Sequence, residues 1–148
     1  MHATDSSNRW ARVALVVVAV VAIAVRLLPW PQVFWSDGVR LMADGDTYYH
    51  ALRAERIARD WPHVPWVDPG MNHPQGAAIP WPALLDQAIA TIAVFTGPPT
   101  TEHVATVAAV VPVVAGVLLV LATAALGAVL LGGPVWWDAA LLVALLPA

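Results

Sequence analysis

The run from His103 to Leu131, free of Asp, Glu, Lys and Arg, constrains this chain more than any other stretch. A helix rises about 1.5 Å per residue, so the run is long enough to cross the roughly 30 Å hydrocarbon core of a bilayer. Pro112 and Gly116 inside it predict a kinked or tilted span. A second apolar run, Val13 to Leu28, is interrupted by Arg26 and followed by Pro29 and Trp30, where the far interface is expected. Arg26 lies close enough to that end for its side chain to reach outward to the interface. Composition agrees: 59% of the residues are hydrophobic and 11% charged, against about a quarter charged in soluble domains. The apolar residues come in blocks, which predicts an all-α, polytopic membrane protein in contact with the lipid bilayer. Without cysteine there are no disulfides or thiolate metal sites, and a net charge of -3 leaves no basic surface for nucleic acid.

The blocks predict an order of segments. Residues 1–12 form a polar tail with Arg9 and Arg12, residues 13–29 a first span, and residues 30–80 an external loop. A second span is expected over 81–97, apolar except for Asp86 and Gln87, and Gly97-Pro98-Pro99-Thr100 is a turn signal. The third span covers 103–131, Gly132-Gly133-Pro134 marks another turn, and 135–148 begins a fourth span with Trp136 and Trp137 at interfacial depth. That last segment is too short to complete a crossing, so the chain reads as a fragment cut in mid-helix. A secretory signal, with a basic start and Ala22-Ile23-Ala24 as cleavage site, explains the first run equally, but the spans that follow favour a signal anchor. Arg9 and Arg12 against Arg40 favour a cytoplasmic tail and an extracytoplasmic loop 30–80, in a cytoplasmic membrane.

The stretch from Asp44 to Asp86 carries more than half of the chain's Asp, Glu and Arg residues, and any chemistry is expected there. Asp46 to Asp60 reads as a helix: His50, Ala51, Ala54, Ile57 and Ala58 make a small-residue stripe, with Asp46 one turn before His50. Glu55 and Arg59 are spaced for an i,i+4 ion pair on the exposed side, and Pro62 ends the helix at or before Trp61. His63 to Ile79, rich in Pro and Gly, reads as a loop that Asn72, His73 and Gly76 shape. Asp44 and Asp46 fit helix capping, since Asp is a favoured N-cap. They also fit a hard-cation site, because Mg²⁺ and Mn²⁺ take oxygen ligands and bridge to phosphates. A zinc site from Asp46, His50 and His73 lacks a recognised spacing. Asp86, about five residues into the expected second span, is either wetted by the loop above or functional.

Asp46-Thr47-Tyr48-Tyr49-His50, Asp68-Pro69, Asn72-His73-Pro74-Gln75-Gly76 and Trp81-Pro82-Ala83-Leu84-Leu85-Asp86 together resemble the first external loop of the catalytic subunit of oligosaccharyltransferases. The family pattern is a D-x-Y-Y-H start, a D-P and N-x-P-x-G middle, and a W-P-P-L-x-D entry into the second span; Ala83 stands where a second Pro is common. The resemblance covers about residues 10–148. It implies the N-terminal part of a GT-C membrane glycosyltransferase, with about four transmembrane helices and a structured first external loop. It further implies transfer of a glycan from a polyprenyl phosphate or pyrophosphate carrier to the Asn of an Asn-x-Ser/Thr sequon in an acceptor protein. Asp46 matches the family's metal-binding carboxylate, for Mn²⁺ or Mg²⁺. His50 and Asp86 would face substrate, and Asp68, Asn72, Gly76 and Trp81 would build the loop. The family's other carboxylates and its soluble sequon-binding domain are absent here, so the chain alone is expected to be inactive. Trp136-Trp137-Asp138 copies the opening of the sequon-binding motif but runs on into Ala139-Ala140 and an apolar segment, so interfacial tryptophans explain it better. Alternatives are another GT-C polyprenyl-sugar transferase, which usually carries Asp-Glu in this loop where the chain has Asp46-Thr47, or a non-catalytic truncated membrane protein.

Overall fold

A computed structural model describes residues 3–40, 45–131 and 136–146. Asp44 and the turn expected at Gly132-Gly133-Pro134 lie outside the described residues. Helices dominate: α1 (Ala3–Leu27), a single turn α2 (Trp30–Val33), α3 (Gly45–Arg59), α4 (Leu84–Thr96), α5 (Thr101–Leu131) and α6 (Trp136–Leu145). Two two-residue ladders complete the elements: β1 (Phe34–Trp35) with β2 (Gly38–Val39), and β3 (Val67–Asp68) with β4 (Ala77–Ala78), both antiparallel.

Two segments, Arg9–Val33 and Thr101–Leu130, are long and apolar enough to cross a membrane. Within the second span expected over 81–97 the helix is the 13-residue α4. At about 1.5 Å per residue it reaches roughly 20 Å, well short of a bilayer core. Pro80 and Pro82 explain the difference, because they keep 81–83 out of the helix. The described part of the fourth expected span is α6, 10 residues long. The tail expected over 1–12 is helical from Ala3 onward.

The chain divides into two compact units, one of residues 1–32 with 112–148 and the other of residues 33–111. In the first, α1, the later part of α5 and α6 meet through Val18, Ala22, Val120, Ala124, Ala140 and Ala144. Four of these six are alanines, so the helices approach closely, as helices do in lipid where small residues replace the hydrophobic drive. Gly127 belongs to the same device: a Cβ there would lie 3.2 Å from the Cα of Trp136.

Arg26 departs from its expected outward reach. It is buried, and its guanidinium donates to the carbonyls of Ala22 (3.3 Å), Ala144 (3.2 Å) and Val143 (3.4 Å). The reason is local: Gly116 leaves a gap on α5, and a Cβ there would lie 2.1 Å from Arg26 Nε. With room to turn inward, the cation finds backbone acceptors in the last turn of α6, where the helix dipole is negative. Gly116→Ala is therefore expected to lower the melting temperature of the detergent-solubilised chain by displacing the guanidinium. Gly116→Ala combined with Arg26→Ala should cost less than the sum of the single changes, and additive costs would show that the two residues are independent.

The second unit packs α3 on α4 and on the first turns of α5. Ala54, Ile57, Ala58, Ile89, Ala90, Ala93, Val104 and Val107 form its core. Thr100 caps α5 by accepting the His103 N–H (3.3 Å). The His103 ring lies 3.0 Å from the Thr96 hydroxyl and 3.1 Å from the Ala93 carbonyl, which ties the end of α4 to the start of α5. Glu55 accepts from Arg59, as the i,i+4 spacing predicts, and also from the Thr101 hydroxyl at 2.8 Å.

Candidate functional site

The site is built on the inward face of α3. Helical spacing places His50, Arg53, Ala54, Ile57 and Ala58 on one stripe, and the structure buries Arg53 and the last three. Arg53 is 1% exposed and faces Asp86 on α4, which is fully buried. Arg53 Nη1 donates to Asp86 Oδ2 at 3.2 Å and to the Trp81 carbonyl at 3.0 Å, while Nη2 donates to the Pro65 carbonyl at 3.3 Å. His50 Nδ1 lies 2.7 Å from the other carboxylate oxygen, Oδ1. With the proton on Nδ1, His50 donates to Oδ1 while Arg53 donates to Oδ2.

Around this polar centre stand the aromatic rings. Tyr49 and Trp81 have centroids 5.0 Å apart, and the His50 ring meets Trp81 edge-on at 6.4 Å. The Tyr49 hydroxyl lies 3.7 Å from Met71 Sδ. Asp68 is buried at the base of the loop: it accepts from the Gly70 N–H at 2.8 Å and from Arg56 Nη1 at 2.9 Å. The Gly70 N–H holds its carboxyl below the usual carboxylate range, helped by the Tyr49 hydroxyl and Arg56 and opposed by burial. Burial, and then the Asp68 carboxylate, pushes the Tyr49 hydroxyl up.

The loop from 66 to 79 closes on this carboxylate. The ladder pairs Val67 with Ala78 and Asp68 with Ala77, and the Ile79 N–H donates to the Trp66 carbonyl at 2.9 Å. Asn72 takes a left-handed conformation (φ 50°), which Asn tolerates, and Gly76 takes φ +76°. A Cβ on Gly76 would lie 3.3 Å from the Asp68 carbonyl, so this glycine serves both the turn and the close approach.

Each residue singled out in the sequence therefore has a place. Asp68, Gly76 and Trp81 build the loop and its contact with α3; Asn72 makes the turn, its carbonyl accepting from the Gln75 N–H at 3.1 Å. His50 and Asp86 are brought together. His73 is exposed on the loop. Asp46, second residue of α3, is exposed and makes no ion pair with any described residue. Arg53 and Arg56, absent from the sequence reading, are the cations that hold the two buried carboxylates. Arg53 could have been found: it occupies the i+3 position of a stripe starting at His50.

A divalent cation is only partly provided for. Among the described residues no three His, Asp or Glu side chains gather into a metal site. Asp86 is committed to Arg53 and His50, and Asp68 to Gly70 and Arg56. Asp46 offers one free carboxylate, fewer oxygen ligands than Mg²⁺ or Mn²⁺ requires.

The same motif pieces that converge here lie in a chain with known relatives. It is 30% identical over 114 residues to dolichyl-phosphooligosaccharide-protein glycotransferase 3 of Archaeoglobus fulgidus, a match covering 76% of this chain and 13% of that protein. It is also 30% identical over 113 residues to the dolichyl-monophosphooligosaccharide-protein glycotransferase AglB of Haloferax volcanii, covering 74% of this chain and 11% of that protein. The chain is similar to these two glycotransferases over about three quarters of its own length. It spans only about an eighth of the length of these two relatives. No family profile and no solved structure matches it.

The pH response of the oligosaccharyltransferase-like loop follows from Asp68. Its acidity is increased in the folded chain, so its contribution is fully present above the ordinary carboxylate pKa of about 4 and is lost as pH falls through the lower folded value. Amide exchange across residues 66–79 is expected to speed up in that acidic window beyond its intrinsic pH dependence. Asp68→Asn should give the same loosening at neutral pH, and unchanged protection in the variant would remove Asp68 from the role.

Proposed function

We propose that this chain is part of a membrane oligosaccharyltransferase. The intact protein would transfer a glycan from a polyprenyl phosphate or pyrophosphate carrier to the Asn of an Asn-x-Ser/Thr sequon in an acceptor protein. The observation that carries this reading is the match to two curated glycotransferases across three quarters of the chain. The local structure supports it, because Tyr49, His50, Trp81 and Asp86 of the family pattern, distant in sequence, gather with Arg53.

On this reading residues 33–100 form one folded loop on the extracytoplasmic side, with α4 part of the loop and α1 and α5 as the spans that flank it. The length of α4 and its packing on the polar helix α3 support that arrangement. Cysteines introduced at Pro65 and at Thr100 are both expected to react with an impermeant maleimide in intact cells. If α4 crossed the bilayer, Pro65 would react and Thr100 would not.

Asp46 is the residue of this chain that faces the reaction. We assign it one oxygen ligand of a Mn²⁺ or Mg²⁺ centre whose remaining ligands come from outside the described residues. A divalent ion in such a site stabilises developing negative charge. Asp46→Asn in the intact protein is expected to lower glycopeptide formation at least a hundredfold, about 2.7 kcal/mol in the barrier, while Asp44→Asn stays near wild type. Asn caps a helix as well as Asp does, so a capping role would leave both variants active. Wild-type turnover by Asp46→Asn at low Mn²⁺ would overturn the assignment.

A further inference from the structure

One group at the site has a geometry that structural stability alone does not require. Asp86 already has an ionic partner in Arg53, through Oδ2, yet its Oδ1 is spent on His50 at 2.7 Å. His50 is the one partner of Asp86 that is partly exposed: its side chain is 27% accessible, against 1% for Arg53. Its Nε2 has no hydrogen-bond partner among the described residues. It lies one helical turn after Asp46, on the same side of α3.

We propose that Asp86 is a positioning residue for the transferase site, acting through His50. Its carboxylate fixes which ring nitrogen carries the proton and holds the imidazole at one angle against Trp81. In this arrangement Nδ1 donates its proton to the buried Oδ1, and Nε2 is the ring nitrogen turned away from Asp86. The ring cannot flip without leaving Oδ1 unpaired in a fully buried place, which is costly. Arg53 has a part in this: it donates to Asp86 while its guanidinium is itself held by the Trp81 and Pro65 carbonyls, so the carboxylate is a fixed reference rather than a mobile one. The outcome is a nitrogen acceptor presented at a defined position one turn from Asp46. Carboxylates hydrogen-bonded to an imidazole orient the ring in this way behind metal-ligating histidines, where their loss typically costs roughly 10–100-fold in affinity or activity. The proposal rests on the transferase reading for what Nε2 serves, but not for the tautomer itself.

Two substitutions separate positioning from mere packing. In His50→Asn the side-chain amide replaces the Nδ1–H and can still donate to Asp86, whereas the Nε2 edge is gone. In His50→Gln the amide nitrogen reaches the Nε2 position instead. The experiment measures kcat and KM for glycopeptide formation by the intact protein, its melting temperature, and the ¹⁵N shifts of His50 in labelled, detergent-solubilised protein. We expect wild-type His50 to show the Nδ1–H tautomer. His50→Asn should keep the wild-type melting temperature and lose at least tenfold in kcat with little change in the KM of the acceptor. Asp86→Asn should scramble the tautomer; because it also strands Arg53, the double variant Arg53→Met/Asp86→Asn is measured beside it, and should restore the melting temperature without restoring kcat. Wild-type kcat in His50→Asn means that His50 only satisfies Asp86, and the proposal falls. An Nε2–H tautomer in the wild type overturns it as well. No glycan transfer by the wild-type intact protein refutes the transferase reading, while the ¹⁵N measurement still decides whether Asp86 sets the tautomer.

Discussion

The ion pair between Arg53 and Asp86 is the constraint on which the second unit depends. Both groups are out of water, so each is stable only while the other is present. Removing one partner of such a pair commonly costs about 3–5 kcal/mol, because a buried charge is left alone. The pair joins three separate pieces of chain: α3 through Arg53, α4 through Asp86, and the loop through the carbonyls of Pro65 and Trp81. Hydrophobic contact alone would let the Ala-rich faces of α3 and α4 slide, since alanines offer little shape to interlock. The guanidinium fork sets one register, because its donors find these acceptors in one arrangement. Among the described residues Arg53 Nε has no partner, a cost the other bonds must outweigh.

The first unit meets a similar problem with different means. Arg26 has no carboxylate partner among the described residues; its Nη1 and Nη2 donate to backbone carbonyls of α1 and α6, while Nε has no partner among the described residues. An isolated cation in apolar surroundings is expensive, and carbonyl dipoles at a helix end are the cheapest compensation a run of Ala and Val can offer. The arrangement requires an unobstructed patch on the neighbouring helix, and Gly116 supplies it. In the sequence, the same Arg26 near a helix end reads as a residue that reaches for the interface. Distance to the interface was the legible quantity; the hole left by a glycine ninety residues later was not.

That contrast defines how much could be read in advance. The helix over α3 was legible to within a residue, because its stripe, its leading Asp and its terminating Pro62 are all local signals. The burial of Ala54, Ile57 and Ala58 followed from the same periodicity. The long apolar helix α5 was equally plain. In the segment 81–97 the apolar composition was legible, but not the length of its helix, which the preceding prolines shorten to 13 residues. Asp86 could be singled out as costly in an apolar segment, but not its partners, since Arg53 and His50 lie on another element. Tertiary pairing of charges leaves no local trace; it has to be inferred from a cost on each side.

The spacing of the family pattern acquires a physical meaning from these contacts. Tyr49 and His50 are adjacent in sequence, so in a helix they point about 100° apart, and each needs its own partner. Tyr49 turns toward the loop, against Trp81, Met71 and Asp68; His50 turns toward α4, against Asp86. The loop must then begin and end near α3, which the ladder at Asp68 and Ala77 ensures, and Gly76 permits the return because no side chain fits beside the Asp68 carbonyl. Trp81 closes the set by giving its ring to Tyr49 and its carbonyl to Arg53. Each motif piece thus satisfies a polar or aromatic demand created by another, which is why they form a set and why none is informative alone. Asp46 is the exception: it is exposed in the first turn of α3, where the helix dipole favours a carboxylate, and it takes no part in these contacts.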